Sequence, residues 1–143
     1  MDEDKRKHLD YIQAIITRMN TNSFQIKNMT VVILAAIFAL FVATPKVMLL
    51  FFIVLPLITF CLLDSYYLQQ ERKFREMYKD VAGLTNNYEL KPYEMPLNKY
   101  KGNRCSYGEN VFSKTIMLFY LPLLIIVITI ALICMIFLQI PIM

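Results

Sequence analysis

His8 and Asp10 bring an imidazole and a carboxylate close together in sequence, the raw material of general acid–base chemistry. On a helix, residues two apart point in different directions, so the pair reads instead as a solvated helix start. A lipid-directed enzyme would need an interfacial acid–base pair, and only His8, Asp10 and Asp64 could supply one. The chain has one histidine, three glycines and three cysteines. It contains no glycine-rich phosphate loop, no Gly-x-Ser-x-Gly elbow and no Cys or His pair at metal-ligand spacing. The expectation is therefore a protein with no catalytic residue, no cofactor and no metal. Cys61 and Cys134 fall in apolar runs and Cys105 in a polar one, and no disulfide is expected.

The elements that would position any site are dominated by apolar runs. Hydrophobic residues make up 57% of the 143, charged residues 18%, and the mean hydropathy is +0.47. Soluble domains average about 45–50% apolar and about 25% charged residues, so both figures lie on the membrane side. Residues 29–43, 47–63 and 116–143 carry no charge at all. Crossing a hydrocarbon core takes roughly 20 helical residues. The first span must therefore borrow from Phe24–Asn28, with Lys27 snorkelling to the headgroups. The expected fold is all-α: a three-span transmembrane helical protein with a small helical cytoplasmic module. Its parts are an amphipathic helix and joint over 1–22, a transmembrane hairpin over 23–66 (spans about 24–43 and 47–66), a cytoplasmic helix and loop over 67–115, and a third span over 116–143. Thr44-Pro45-Lys46 is the hairpin turn. The long polar leader beginning Met1-Asp2-Glu3-Asp4, and the bulky Phe41 near any cut after Ala43, argue against a cleaved signal peptide.

Lys and Arg number five in residues 1–28 and nine in 64–115, against Lys46 alone in the hairpin. The positive-inside rule then places the N-terminus and the 64–115 segment in the cytoplasm, and the hairpin and C-terminus outside, as a multi-pass inner-membrane protein. The same bias accounts for the net charge of +4, so nucleic acid is not expected as a main partner.

On the cytoplasmic side, Leu9, Ile12, Ile16 and Met19 recur at helical spacing. Asn20–Ser23 admits two readings. Asn22 and Gln25 form a capping-box pattern for a new helix; alternatively the helix runs through unbroken. The second span has neither Gly nor Pro from Asp64 to Val81, so its helix should continue to Gly83 with Glu71/Arg75 and Arg72/Glu76 paired four apart. Phe74, Tyr78 and Val81 form its apolar stripe, and the first helix should pack on it. Residues 85–110 read as a loop with a possible short strand pair, its lysines near anionic lipid.

Within the spans, Thr30, Thr59 and Thr129 can bond back to their own helices. Pro56 and Pro122 interrupt spans and could kink them, and with Asp64 they are the candidate gate residues. For Asp64, an ordinary helix-boundary role at the interface is the plainer reading. Ala35, Ala39 and Ala43 form a small-xxx-small face, which either packs on the second span of the same chain or contacts a second copy. Arg18, Glu71, Arg72 and Arg75 are candidate contacts for a soluble protein partner.

Three stretches resemble a group of small bacterial inner-membrane proteins of uncharacterised function. These are Lys7-His8-Leu9-Asp10-Tyr11-Ile12-Gln13; then Arg18-Met19 and Asn22-Ser23-Phe24; and Leu63-Asp64-Ser65-Tyr66-Tyr67-Leu68 with Glu71-Arg72 and Phe74-Arg75. The size and layout are also similar to membrane effectors of bacterial antiphage systems. Three spans, too few for one chain to enclose a channel, the alanine face and a cytoplasmic helix continuous with the second span together suggest a homo-oligomer that forms a pore or perturbs the lipid bilayer. The alternative is a non-enzymatic anchor or accessory subunit.

Overall fold

The computed structural model describes residues 3–85 and 89–137, apart from the side chains of Asn103 and Phe137. Four α-helices account for most of it: α1 (Glu3–Ala43), α2 (Val47–Ala82), α3 (Tyr107–Val111) and α4 (Lys114–Phe137). Two short 3-10 turns, Leu97–Lys99 and Asn103–Cys105, lie in the connection between α2 and α3, and no strand forms among the described residues. Three helices, α1, α2 and α4, are long and apolar enough to cross a membrane. The expected end of the third span, residues 138–143, lies outside the described residues.

The first two helices outrun any bilayer: at 1.5 Å per residue, α1 is about 61 Å long and α2 about 54 Å. The Asn20–Ser23 segment is fully helical, so the capping-box reading gives way to the unbroken one. With no Gly or Pro there, nothing makes the backbone stop. Pro56 and Pro122 also lie inside continuous helices and break neither. At Thr44–Lys46 the chain does turn: Thr44 caps α1 by donating its hydroxyl to the Leu40 carbonyl (2.9 Å), and Lys46 N–H bonds Thr44 O at 2.7 Å. Helix α2 ends at Gly83, whose φ of +79° suits a residue without a Cβ. Leu84 N–H reaches Lys79 O (2.9 Å) and Gly83 N–H reaches Asp80 O (3.1 Å), which is the Schellman arrangement.

Contacts divide the chain into two units, residues 1–24 with 65–110 and residues 25–64 with 111–143. The first is built around Ile12 and Ile16 of α1 packed on Phe74 and Met77 of α2, as the two amphipathic stripes predict. Met77, wholly buried, joins the stripe at the position between Phe74 and Val81. The connection after α2 is less of a loop than expected: Tyr100 and Cys105 close the same core, and Leu90 and Leu97 pack against it. In the second unit each long helix contributes one buried stripe. These are Ile26, Thr30, Leu34 and Phe41 from α1; Val47, Leu50, Ile53 and Leu57 from α2; and Ile116, Tyr120, Val127 and Ala131 from α4. Steps of three, four and seven residues keep each stripe on one face. In lipid such faces associate by close packing rather than by hydrophobicity.

Candidate functional site

The most polar place in the second unit joins α1 to α2. Lys27 Nζ lies 2.5 Å from Asp64 Oδ2, with the carboxylate completely buried. Lys27 therefore does not snorkel away to headgroups as expected; a closer anion captures it. Asp64 in turn is no solvated helix boundary. Around the pair, Thr30 is buried and donates to Ile26 O at 2.8 Å. From α4, the Tyr120 hydroxyl donates to Phe60 O at 3.3 Å and has Asp64 and Thr30 as hydrogen-bonding neighbours. Thr59 and Thr129 bond back to Leu55 O and Ile125 O, as expected of threonines in apolar helices. The buried Asp64 carboxylate depends on its cation, because alone it would face the desolvation cost in full, whereas Lys27 keeps 19% of its side-chain surface exposed. Chemically the cluster is a latch between α1 and α2 that also holds the α4 tyrosine.

The small-residue face lies elsewhere on α1. Ala35, Ala39 and Ala43 are all exposed, whereas the helix buries Leu34 and Phe41 on its inner stripe. The stripe that packs within the chain carries the larger side chains, and among the described residues nothing covers the alanine face. Pro56 is partly buried and Pro122 exposed, and neither touches on the Lys27–Asp64 pair by any described bond.

In the first unit the candidate acid–base pair separates. His8 is 2% exposed while Asp10 is exposed to solvent. The expectation of a solvated His8 fails because the imidazole is covered by Tyr93, whose ring centroid lies 5.9 Å away. Burial pushes the His8 pKa down from its ordinary value, partly opposed by a hydrogen bond with the Glu94 backbone. Its Nε2 is buried without a partner. Tyr93 holds a φ of +65°, a strained value for a bulky residue, in a position where its ring also lies 6.0 Å from that of Tyr11. Its hydroxyl reaches Asp4 Oδ1 at 3.3 Å.

Further along α2, Glu71 is largely buried and accepts from the exposed Arg75 Nε at 2.6 Å. The expected Arg72/Glu76 partnership is replaced: Glu76 pairs with Lys79 at 2.7 Å, three residues on. Asp80, 8% exposed, accepts from the Tyr100 hydroxyl (2.9 Å) and from Thr85 Oγ1 (2.5 Å), pinning the connection to the helix end. Gln69 Nε2 donates to Cys105 O at 2.8 Å and adds a second anchor. Burial pushes the Cys105 thiol pKa up, and the nearby Glu76 pushes the same way. Arg18, on the exposed side of α1, lines an open groove with Asn22, Tyr66, Tyr67, Gln70 and Phe74. It also lines a second hollow beside Tyr11 and Met95. Among the described residues no group of three or more His, Cys, Asp or Glu is arranged to hold a metal ion.

Compared with known protein families, curated proteins and solved structures, the chain matches none.

Proposed function

We propose that this three-span membrane protein works as a homo-oligomeric effector that forms a pore or perturbs the bilayer when its water-exposed helical unit is triggered. The observation that carries this reading is the outward position of Ala35, Ala39 and Ala43. Small residues at four-residue spacing let helix backbones approach closely, and among the described residues this face is left exposed. Three spans are too few to enclose a channel, so a conducting path needs several copies. Helix α2 runs without a break from its apolar part into residues 65–82, and the Lys27–Asp64 latch is the contact that a shift of this helix would strain. By the positive-inside count, the trigger acts from the cytoplasm. The resemblance to bacterial inner-membrane proteins, and in layout to antiphage effectors, fits this reading and suggests defence as its setting.

Induced expression in bacteria carrying a voltage-sensitive dye tests the reading. The wild type should depolarise the membrane and arrest growth, and Ala35→Leu/Ala39→Leu, which fills the small-residue face, should do neither. A wild type that leaves both potential and growth unchanged under every trigger tried, phage infection included, counts against it.

A second reading, an anchor that docks a soluble protein, draws on Arg75, whose side chain is 57% exposed despite its bond to Glu71. Arg72 lies three residues before it on α2. A stoichiometric partner retained by the wild type and lost on Arg72→Glu/Arg75→Glu would favour that reading over the first.

A further inference from the structure

The groove beside Arg18 has a volume of about 400 Å³, within the range of small-molecule sites. Its only charged lining residue is Arg18, and no carboxylate lines it. Among the described residues Arg18 enters no ion pair with any of the protein's own acids. The remaining polar lining consists of hydrogen-bond donors: the Asn22 and Gln70 amides and the Tyr66 and Tyr67 hydroxyls. Phe74 contributes apolar wall. A planar, permanently charged guanidinium flanked by neutral donors matches a phosphate diester, which Arg binds through two parallel N–H bonds.

Position along the helices selects the source of that phosphate. Asn22 precedes Lys27 by five residues on α1, and Tyr66 follows Asp64 by two on α2. At 1.5 Å per residue these are about 8 Å and about 3 Å beyond the last charges flanking the apolar runs. A headgroup layer is about 5–8 Å deep on each side of the hydrocarbon, so Asn22, Tyr66 and Tyr67 stand at its level, while Arg18, nine residues before Lys27 and about 14 Å out, lines the outer end of the same groove. Tyrosines are enriched at that depth, where the ring meets apolar chains and the hydroxyl meets water.

We infer that the groove of Arg18, Asn22, Tyr66, Tyr67 and Gln70 binds the phosphodiester headgroup of an anionic phospholipid. The inference needs only that α1 and α2 cross the membrane; it is independent of whether the chain forms an oligomer or a pore.

The full-length protein, purified in mild detergent and offered equal amounts of phosphatidylglycerol and phosphatidylcholine, tests this by native mass spectrometry. The wild type should retain phosphatidylglycerol in preference, one molecule per chain. Arg18→Gln should weaken retention about ten-fold, the scale of one charge-assisted hydrogen-bonding group. Arg18→Lys should fall between the two. Arg6→Gln, an exposed charge twelve residues before Arg18 on α1 and outside the groove lining, should leave retention unchanged. Circular dichroism should be the same for all four, and inorganic phosphate should not displace the lipid. Three results would overturn the proposal: a wild type without preference, an Arg18→Gln variant that retains the lipid like the wild type, or equal loss in Arg6→Gln. Displacement of the lipid by inorganic phosphate would overturn it too, by assigning the groove to a free anion.

Discussion

Asp64 and Lys27 form an unequal pair: the carboxylate is wholly shielded, while the ammonium side chain keeps 19% of its surface exposed at a separation of 2.5 Å. Lys27, with its long flexible stem, can therefore find water if its partner is lost, and Asp64 cannot.

That inequality predicts the order of two substitutions. Lys27→Met strands a buried carboxylate and should cost about 3–5 kcal/mol, whereas Asp64→Asn leaves a lysine able to turn outward and should cost less. The double variant should recover most of the loss. Unfolding by denaturing detergent, followed by circular dichroism, measures all three; equal single costs that simply add in the double would show that the two residues do not work as a pair.

His8 gives the first unit a dependence on pH. Its pKa is lowered in the folded state, so between that value and its unfolded value of about 6.5 the unfolded chain holds more protons. Stability is then fully present above pH 6.5 and falls as the pH drops through the folded pKa. Thermal midpoints at pH 7.5, 6.5 and 5.5 should decline for the wild type and stay level for His8→Gln, which cannot charge. Asp4 and Lys7 lie beside the Tyr93 that covers the imidazole, and Glu94 bonds it through its backbone. A wild-type midpoint that does not change between pH 7.5 and 5.5 would rule the effect out.

The Asp80–Tyr100 bond should carry more weight than the Asp4–Tyr93 bond, though both join a tyrosine hydroxyl to a carboxylate. Tyr100 is 5% exposed, so Tyr100→Phe removes a donor that water cannot replace and should cost about 1–3 kcal/mol. Tyr93→Phe acts at an exposed bond and should stay within about 0.5 kcal/mol. Limited proteolysis between residues 89 and 101 should speed up in the first variant alone. Equal cleavage rates in both would contradict the assignment of Asp80 as the anchor of this segment.

Periodicity made much of this fold legible. The spans, the hairpin at Pro45, the run of α2 to Gly83 and the meeting of Ile12 and Ile16 with Phe74 all follow from patterns local to one segment. What escaped depends on residues distant in sequence. His8 looks solvated until Tyr93 covers it, and Lys27 looks like a snorkelling residue until Asp64, 37 positions away, offers a nearer charge. Tyr100 and Cys105 sit in a segment rich in turn residues, whose signals describe the backbone and not the core beneath it. The alanine face was visible as spacing, but spacing alone could not tell an inner face from an outer one. Only the burial of Leu34 and Phe41 separates them.

The outward alanine face is the center of the proposed function, and the mass of the protein in mild detergent tests it most directly. The wild type should run at a multiple of the 16.8 kDa chain after the detergent contribution is subtracted, and Ala35→Leu/Ala39→Leu should fall to the single-chain value. A wild type found at 16.8 kDa across the concentration range, or a double variant that keeps the wild-type mass, would contradict assembly through this face.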